Sequence, residues 1–295
     1  MGFIIGDAFG VPLEFIDKQN IPINLDNYII GGKHNVPTGA WSDDSSLMLC
    51  LLETLTENGL DYNLLSKKMI DWLFNAYMTP CNKTFGVGRS CLFSIGKLSK
   101  GISYLESGEN QEKSNGNGSL MRILPLVFYL EDTIEKYKII ETCSAITHAH
   151  SISKIACSIF IEYFHCLIKY NDKYLAYKIM QKNIKNYYKS ENLTPFNRIL
   201  EQNIYNINKE ELSGLGYVIS TLEVALYSFI NSNNYSDCIQ IAVRFGNDTD
   251  TNAAIAGSLA GYYYNAINND WHNKIINLKS IQILIFKFIK LITPQ

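Results

Sequence analysis

Apolar residues recur every three or four positions through most of this 295-residue chain, and that spacing is what most constrains its fold. The pattern predicts helices over 47–55, 139–147, 155–168, 217–230 and 253–267. Runs of alternating polarity, which would indicate strands, are scarce. We therefore expect an all-α, multi-helix protein that folds as a single compact domain over residues 1–295.

Two other segments need an explanation of their own. Lysine, asparagine and tyrosine crowd residues 169–209, yet Tyr177, Met180 and Ile184 keep a helical spacing there. We predict peripheral helices in this segment and not a domain boundary. The apolar run 281–292 contains two lysines and is too short to span a bilayer, so we predict an amphipathic helix.

Charge and cysteine usage exclude several kinds of protein. The formal net charge of −2 argues against a nucleic-acid or anionic membrane surface as the main partner. The 7 cysteines include no CxxC pair, and most lie in apolar runs, which is typical of buried free thiols in a reducing compartment. The first residues resemble no secretory leader, so we expect a cytoplasmic protein.

Two acidic clusters flanked by hydroxyl groups lie far apart in the chain, each where a helix is predicted to begin. They are Ser42-Asp43-Asp44-Ser45 and Asp248-Thr249-Asp250-Thr251. A single carboxylate is enough to cap a helix and favour its dipole, so two in each cluster exceed that need. Carboxylate and hydroxyl oxygens are the ligands that hard divalent cations prefer. We predict that the clusters meet and hold such cations.

The predicted helix after the second cluster has a face of very small side chains. These residues are Ala253, Ala256, Gly257, Ala260 and Gly261. We expect a neighbouring helix to approach this face closely, which would hold the acidic cluster in a fixed position.

Three further elements carry weaker signals. The loop 116–119, followed by Arg122, is consistent with backbone amides around a phosphate, but taken alone it is better explained as an ordinary Asn-Gly turn. Of His148 and His150, we expect one to be structural and one to face a substrate. Glu14 is a lone acid among apolar neighbours after a proline, and such an acid is usually solvated.

Taken together and in this order, these segments resemble the ADP-ribosylglycohydrolase family, which includes dinitrogenase reductase-activating glycohydrolase and the ADP-ribosyl-acceptor hydrolases. The similarity extends over 6–15, 42–45, 116–122, 147–150, 216–218 and 246–254. The resemblance implies a compact all-α fold with a cleft that holds two Mg²⁺ or Mn²⁺ ions.

The resemblance also implies roles for individual residues. The metal ligands would be Ser42, Asp43, Asp44, Asp248, Asp250 and Thr251. Glu14 and Asp44 would be catalytic, with Glu14 touching the metal or the attacking water. ADP-ribose would contact Gly116, Asn117, Gly118, Ser119 and His148.

The chain departs from the family pattern at a few positions. Ser42 stands where many members have threonine, which keeps the hydroxyl, and Asn247 replaces a common glycine. Thr84 or Phe85 occupies a place where many members carry an aspartate. Glu14 is therefore the better candidate for the catalytic carboxylate.

The implied activity is hydrolysis of the glycosidic bond between ADP-ribose and a modified acceptor, a protein side chain above all, which reverses ADP-ribosylation. The alternatives are a non-catalytic member, either structural or an inhibitor that binds an ADP-ribosyltransferase, and a metal-dependent phosphohydrolase. Arginine, serine, another residue, a nucleic-acid base and a small molecule all stay open as acceptors. We expect a monomer with no membrane partner.

Overall fold

The computed structural model describes residues 1–293, and the regular elements in this range are helices, joined by loops with a few isolated bridges. The prediction of an all-α fold is confirmed. The helices are α1 Gly2–Gly10, α2 Asp43–Asn58, α3 Tyr62–Asn75, α4 Arg89–Leu98, α5 Pro125–Tyr129, α6 Lys136–Ala145, α7 Ser151–Tyr170, α8 Lys173–Tyr187, α9 Asn197–Leu200, α10 Val218–Ile230, α11 Tyr235–Val243, α12 Thr249–Tyr263, α13 Asn269–His272 and α14 Leu278–Ile292.

Each helix predicted from apolar spacing is present, with shifts at the ends. The helix predicted over 139–147 is α6, which begins at Lys136 and ends at Ala145. The segment 169–209 contains α8 and α9, and the α8 stripe of Tyr177, Met180 and Ile184 is fully buried. The run 281–292 lies in α14, whose Ile281 and Phe288 face the core.

The central helix of the core is α7, which packs against α5, α6, α8 and α10. By length and composition α7 is apolar enough to cross a membrane, and within the described residues it alone passes that test. However, 78% of its apolar window is buried inside the protein. A helix so enclosed is typical of the core of a globular protein.

Helix α1 lies directly on the small-residue face of α12, as the sequence predicted for some neighbouring helix. Gly2, Gly6 and Gly10 of α1 make the contact, one turn apart. A Cβ atom added to Gly6 would lie 2.2 Å from the carbonyl oxygen of Ala253. The two backbones therefore touch, and the beginning of α12 is held against the end of α1.

Candidate metal centre

The two acidic clusters meet in space, at the N-terminal ends of α2 and α12. The Thr251 hydroxyl lies 3.2 Å from Asp44 Oδ2 and 3.3 Å from Asp248 Oδ1. From the other cluster, the Ser42 hydroxyl donates to Asp44 Oδ2 at 2.9 Å. Oxygen atoms from the two acidic clusters thus surround one small volume.

Helix ends place the clustered side chains. Ser42 is the N-cap of α2, and Asp43 and Asp44 occupy its first turn. Asp248 is the N-cap of α12, while Asp250 lies inside its first turn and not in the turn before it. Backbone N–H groups at such helix ends favour nearby negative charge.

The carboxylates form two groups that share Asp250. One consists of Asp7, Asp44 and Asp250, and the other of Glu14, Asp248 and Asp250. Within each group, one oxygen from every member lies within 4.8 Å of the others. Either group could hold a metal ion through its carboxylate oxygens.

Asp7 was missed as a site residue by the sequence analysis. Its carboxylate accepts hydrogen bonds from the backbone N–H of Ser42 at 2.9 Å and of Ser45 at 3.0 Å, and from the Ser45 hydroxyl. These bonds fix the first turn of α2 against α1. The signal in the sequence was that Asp7 is the only charged residue of an otherwise apolar helix with glycines on either side.

Burial and mutual repulsion strongly perturb the acids. Loss of solvent and then neighbouring carboxylates raise the pKa of Asp43, Asp44 and Asp250 well above the ordinary range. The same causes raise the pKa of Asp248 to about 6. Within residues 1–293, no lysine or arginine forms an ion pair with these four aspartates.

The donor atoms fit a hard divalent cation. Asp44 Oδ1 is buried and has no hydrogen-bond partner in the described part of the chain. An orphaned carboxylate oxygen among other carboxylates is costly unless a positive charge neutralises it. The atoms that could act as ligands are carboxylate and hydroxyl oxygens, which Mg²⁺ and Mn²⁺ prefer to the sulfur and imidazole ligands of zinc.

Asp43 lies to one side of the two carboxylate groups, below the loop that contains Gly86. The backbone of Gly86 has φ 77, and a Cβ atom there would lie 2.3 Å from Asp43 Oδ1. Only glycine allows the loop to approach this carboxylate so closely. Asp43 thus lines the cleft beside the groups formed by Asp44 and Asp250.

The acidic groups form one end of a cleft with a volume of about 750 Å³. Glu14, Asp248 and Asp250 line that end, and the loop 116–118 and His148 line a wall. Basic side chains lie among the other lining residues: Arg89, Lys97, Lys100 and Lys113. A cleft of this size accommodates a nucleotide-sized ligand.

The model of the ADP-ribosylglycohydrolase family matches residues 1–292. This chain belongs to the ADP-ribosylglycohydrolase family. The predicted resemblance and the prediction of a glycohydrolase enzyme are thereby confirmed at the level of the family. The predicted roles of individual residues stay predictions.

Several relatives in this family are similar over almost the whole chain. ADP-ribosylarginine hydrolase Tri1 of Pseudomonas putida is 28% identical, over 96% of this chain and 75% of its own. The ADP-ribosyl-[dinitrogen reductase] glycohydrolase of Rhodospirillum rubrum is 25% identical, over 93% of this chain and 88% of its own. An ADP-ribosylglycohydrolase-related protein complex of known structure has the same fold, with a TM-score of 0.83 at 24% identity over 99% of this chain and 95% of that one.

The loop 116–119 is tied to the acidic end of the cleft in this family member. The Asn117 side chain donates to Asp248 Oδ2 at 2.5 Å and to the Thr221 hydroxyl at 2.9 Å. Ser119 differs from the other loop residues, because its hydroxyl is buried against Ser144 and Cys157. Its side chain therefore points into the core and away from the cleft.

The side chain of Arg122 points away from the cleft and not towards an anion. It is fully buried, and its guanidinium donates to the carbonyls of Gly118 and Cys143 and to the Thr147 hydroxyl. The loop-and-helix pattern in the sequence did not indicate which way this side chain points. Arg122 therefore supports the loop 116–119 from its core side, through the carbonyl of Gly118.

The two histidines have different surroundings. His150 is the N-cap of α7, where its Nδ1 accepts from the N–H of Ile152. His148 is buried and lines the cleft, and its Nδ1 lies 2.8 Å from the Thr147 hydroxyl. Burial, aided by the charge of Arg122, lowers the pKa of His148 to about 3, so the ring is neutral.

Family members that carry an aspartate near position 84 have a carboxylate that this chain lacks. Here the Thr84 hydroxyl donates to the carbonyl of Trp72, and Phe85 packs against His34. Glu14, by contrast, is almost buried beside the acidic groups and pairs with His34 Nε2. Among these positions Glu14 alone brings a carboxylate to the cleft.

Proposed function

We propose that this protein hydrolyses the glycosidic bond between ADP-ribose and a modified protein side chain, with divalent cations held between α2 and α12. The observation that carries the proposal is the meeting of the two acidic clusters around the unpartnered Asp44 Oδ1, at one end of a nucleotide-sized cleft. A set of buried carboxylates without a basic partner has little structural purpose, since burial of repelling charges is destabilising.

The cations would be held by the carboxylates of Asp44, Asp248 and Asp250, with the hydroxyls of Ser42 and Thr251. The sharing of Asp250 by two carboxylate groups supports a pair of ions, and the all-oxygen donors favour Mg²⁺ or Mn²⁺. When bound, such ions neutralise the buried acids, orient substrate oxygens and make a nearby water more acidic.

The side chains of this protein would perform the remaining steps. Hydrolysis of such a bond passes through an oxocarbenium-like transition state. Glu14, a member of the second carboxylate group, would take a proton from the attacking water as the water oxygen bonds to the anomeric carbon of the ribose. The bond from that carbon to the acceptor breaks, and the acceptor leaves with the electron pair and takes up a proton. Asn117 holds Asp248 in place, and the ring of His148 forms part of the wall that ADP-ribose would contact.

Arginine is the acceptor that the relatives support best. Two relatives with 28% identity are named ADP-ribosylarginine hydrolase, from Pseudomonas putida and Serratia proteamaculans. We therefore propose an arginine-linked ADP-ribosyl protein as the substrate. Every oxygen ligand that the family resemblance implies is present in this sequence. We therefore favour a catalytic family member over a non-catalytic one.

The test is the release of ADP-ribose from an arginine-ADP-ribosylated peptide, measured by chromatography for the wild type, Asp44→Asn and Asp26→Asn. Asp26 is exposed and belongs neither to the acidic groups nor to the lining of the cleft, so its variant is the matched control. We expect release by the wild type and the control that stops in EDTA and returns with Mn²⁺, and a loss of at least about 100-fold in Asp44→Asn. Release of phosphate instead, or full activity of Asp44→Asn, would refute the proposal.

A further inference from the structure

Phe15 lies at the mouth of the cleft, directly after Glu14 in the chain. Its side chain is 54% exposed, whereas Glu14 is 7% exposed. Both residues line the cleft together with Asp248 and Asp250. A large aromatic ring is thus presented to solvent beside the carboxylate proposed to act on the water.

The backbone holds Phe15 in a conformation that residues with a Cβ rarely adopt, with φ 66. Two hydrogen bonds maintain it, from the N–H of Phe15 to the carbonyl of Asn247 at 2.6 Å and from the N–H of Asn247 to the carbonyl of Ile16 at 2.7 Å. Asn247 immediately precedes Asp248, so the ring is fixed relative to the acidic cluster. Strain of this kind gathers at functional positions.

A lysine and a histidine of the protein itself contact Phe15 and Glu14. Lys33 Nζ lies over the Phe15 ring, 4.3 Å from its centroid. His34 Nε2 pairs with the Glu14 carboxylate, and its ring lies 5.9 Å from that of Phe15. Lys33 is exposed and attached to a loop, so it can leave the ring for solvent.

We propose that Phe15 and Glu14 form the subsite for the acceptor, in which the guanidinium of an ADP-ribosylated arginine lies against the Phe15 ring. A guanidinium is planar and cationic, so it stacks on an aromatic face and pairs with a carboxylate. The acidic end of the cleft adds attraction for a positive acceptor. This inference rests on the proposed function, and it makes Phe15 a specificity-determining residue.

The test compares Phe15→Asn with Phe15→Tyr. Asparagine tolerates the left-handed backbone but removes the ring, whereas tyrosine keeps the ring. KM and kcat are measured on ADP-ribosyl-agmatine, which retains the guanidinium, and the Kd of ADP-ribose, which lacks it, is measured by calorimetry. We expect Phe15→Asn to raise KM by about 5- to 30-fold, with Phe15→Tyr near the wild type. The Kd of ADP-ribose should stay within about twofold in both variants, because the contact is made by the acceptor alone.

Different results would refute the acceptor subsite and the proposed hydrolase activity. An unchanged KM in Phe15→Asn, or an equal rise in the Kd of ADP-ribose, would overturn the acceptor subsite while the hydrolase stands. A wild type that releases no ADP-ribose from ADP-ribosyl-agmatine or from the arginine-linked peptide would overturn the proposed function, and the subsite with it. Thermal unfolding of Phe15→Asn at the wild-type temperature shows that the fold is intact.

Discussion

The orientation of the His148 ring is set by two buried side chains that do not reach the cleft. The guanidinium of Arg122 only donates hydrogen bonds, so the Thr147 hydroxyl, 2.8 Å away, accepts from it. The same hydroxyl lies 2.8 Å from His148 Nδ1, so Arg122 holds the ring in place through Thr147. The other ring nitrogen, Nε2, lies beside Gly116 and Gly118 in the wall of the cleft.

The low pKa of His148 predicts a pH dependence of stability. The folded pKa is about 3, against an ordinary value of 6.5, so between these values the unfolded chain binds a proton that the folded chain does not. The stability linked to His148 is therefore complete above about pH 6.5 and is lost as the pH falls towards 3. From about pH 6.5 to about pH 4.5, the free energy of unfolding of the wild type should fall relative to His148→Gln, by at most about 1.4 kcal/mol per pH unit.

Urea unfolding of both proteins across this pH range measures that difference. The comparison with His148→Gln removes the titration of the other groups, which the two proteins share. Parallel stability curves would show that His148 does not have the low pKa described here.

At single residues, the sequence predicted which oxygen atoms could bind a cation better than it predicted which way each side chain points. The oxygen donors of both acidic clusters were identified because hydroxyls and paired carboxylates have few other uses in that pattern. Ser119 was expected to contact the ligand, yet its side chain is buried behind the loop, as is that of Arg122. Spacing within a loop does not determine which side chains face the core, since that depends on packing with α6 and α7.

At the scale of helices, the contact between α1 and α12 positions the two acidic clusters of the candidate metal centre. Gly10 lies so close to α12 that a Cβ atom there would be 2.4 Å from the backbone nitrogen of Asp250. Asp7, one turn earlier in α1, holds the first turn of α2. One short helix thus positions both acidic clusters.

Gly10→Ala should therefore disturb both stability and metal binding. The methyl group would force α1 away from α12, which typically costs about 1–3 kcal/mol for overpacking of a core. Because Asp250 is the residue contacted, we also expect weaker Mn²⁺ binding. Chemical unfolding and Mn²⁺ titration of the variant measure the two effects.

Gly96→Ala is the matched control for this substitution. Gly96 lies in α4, and a Cβ atom there would have no neighbour within 4 Å. Alanine should preserve or increase stability by up to about 1 kcal/mol through helix propensity. A Gly10→Ala protein as stable as Gly96→Ala would contradict the account of the helix contact.

For the whole molecule, apolar periodicity was sufficient to predict the fold class, because each helix buries one face or more. The sequence also predicted a close neighbour for the small-residue face of α12. It did not identify α1 as that neighbour, although Gly2, Gly6 and Gly10 repeat at one-turn intervals. Contacts between distant segments depend on how all the helices pack, and local patterns specify only the surfaces available. The extent of the domain over 1–295 stays a prediction.

The most direct test of the metal centre is a count of the Mn²⁺ ions bound per chain, by electron paramagnetic resonance of the free ion. Asp250 belongs to both carboxylate groups, so we predict two ions in the wild type and in Asp26→Asn. Asp250→Asn should weaken both sites by about 10- to 100-fold or more, since each loses a charged ligand. Equal numbers of Mn²⁺ bound with equal affinity by Asp250→Asn and the wild type would contradict a centre shared by the two clusters.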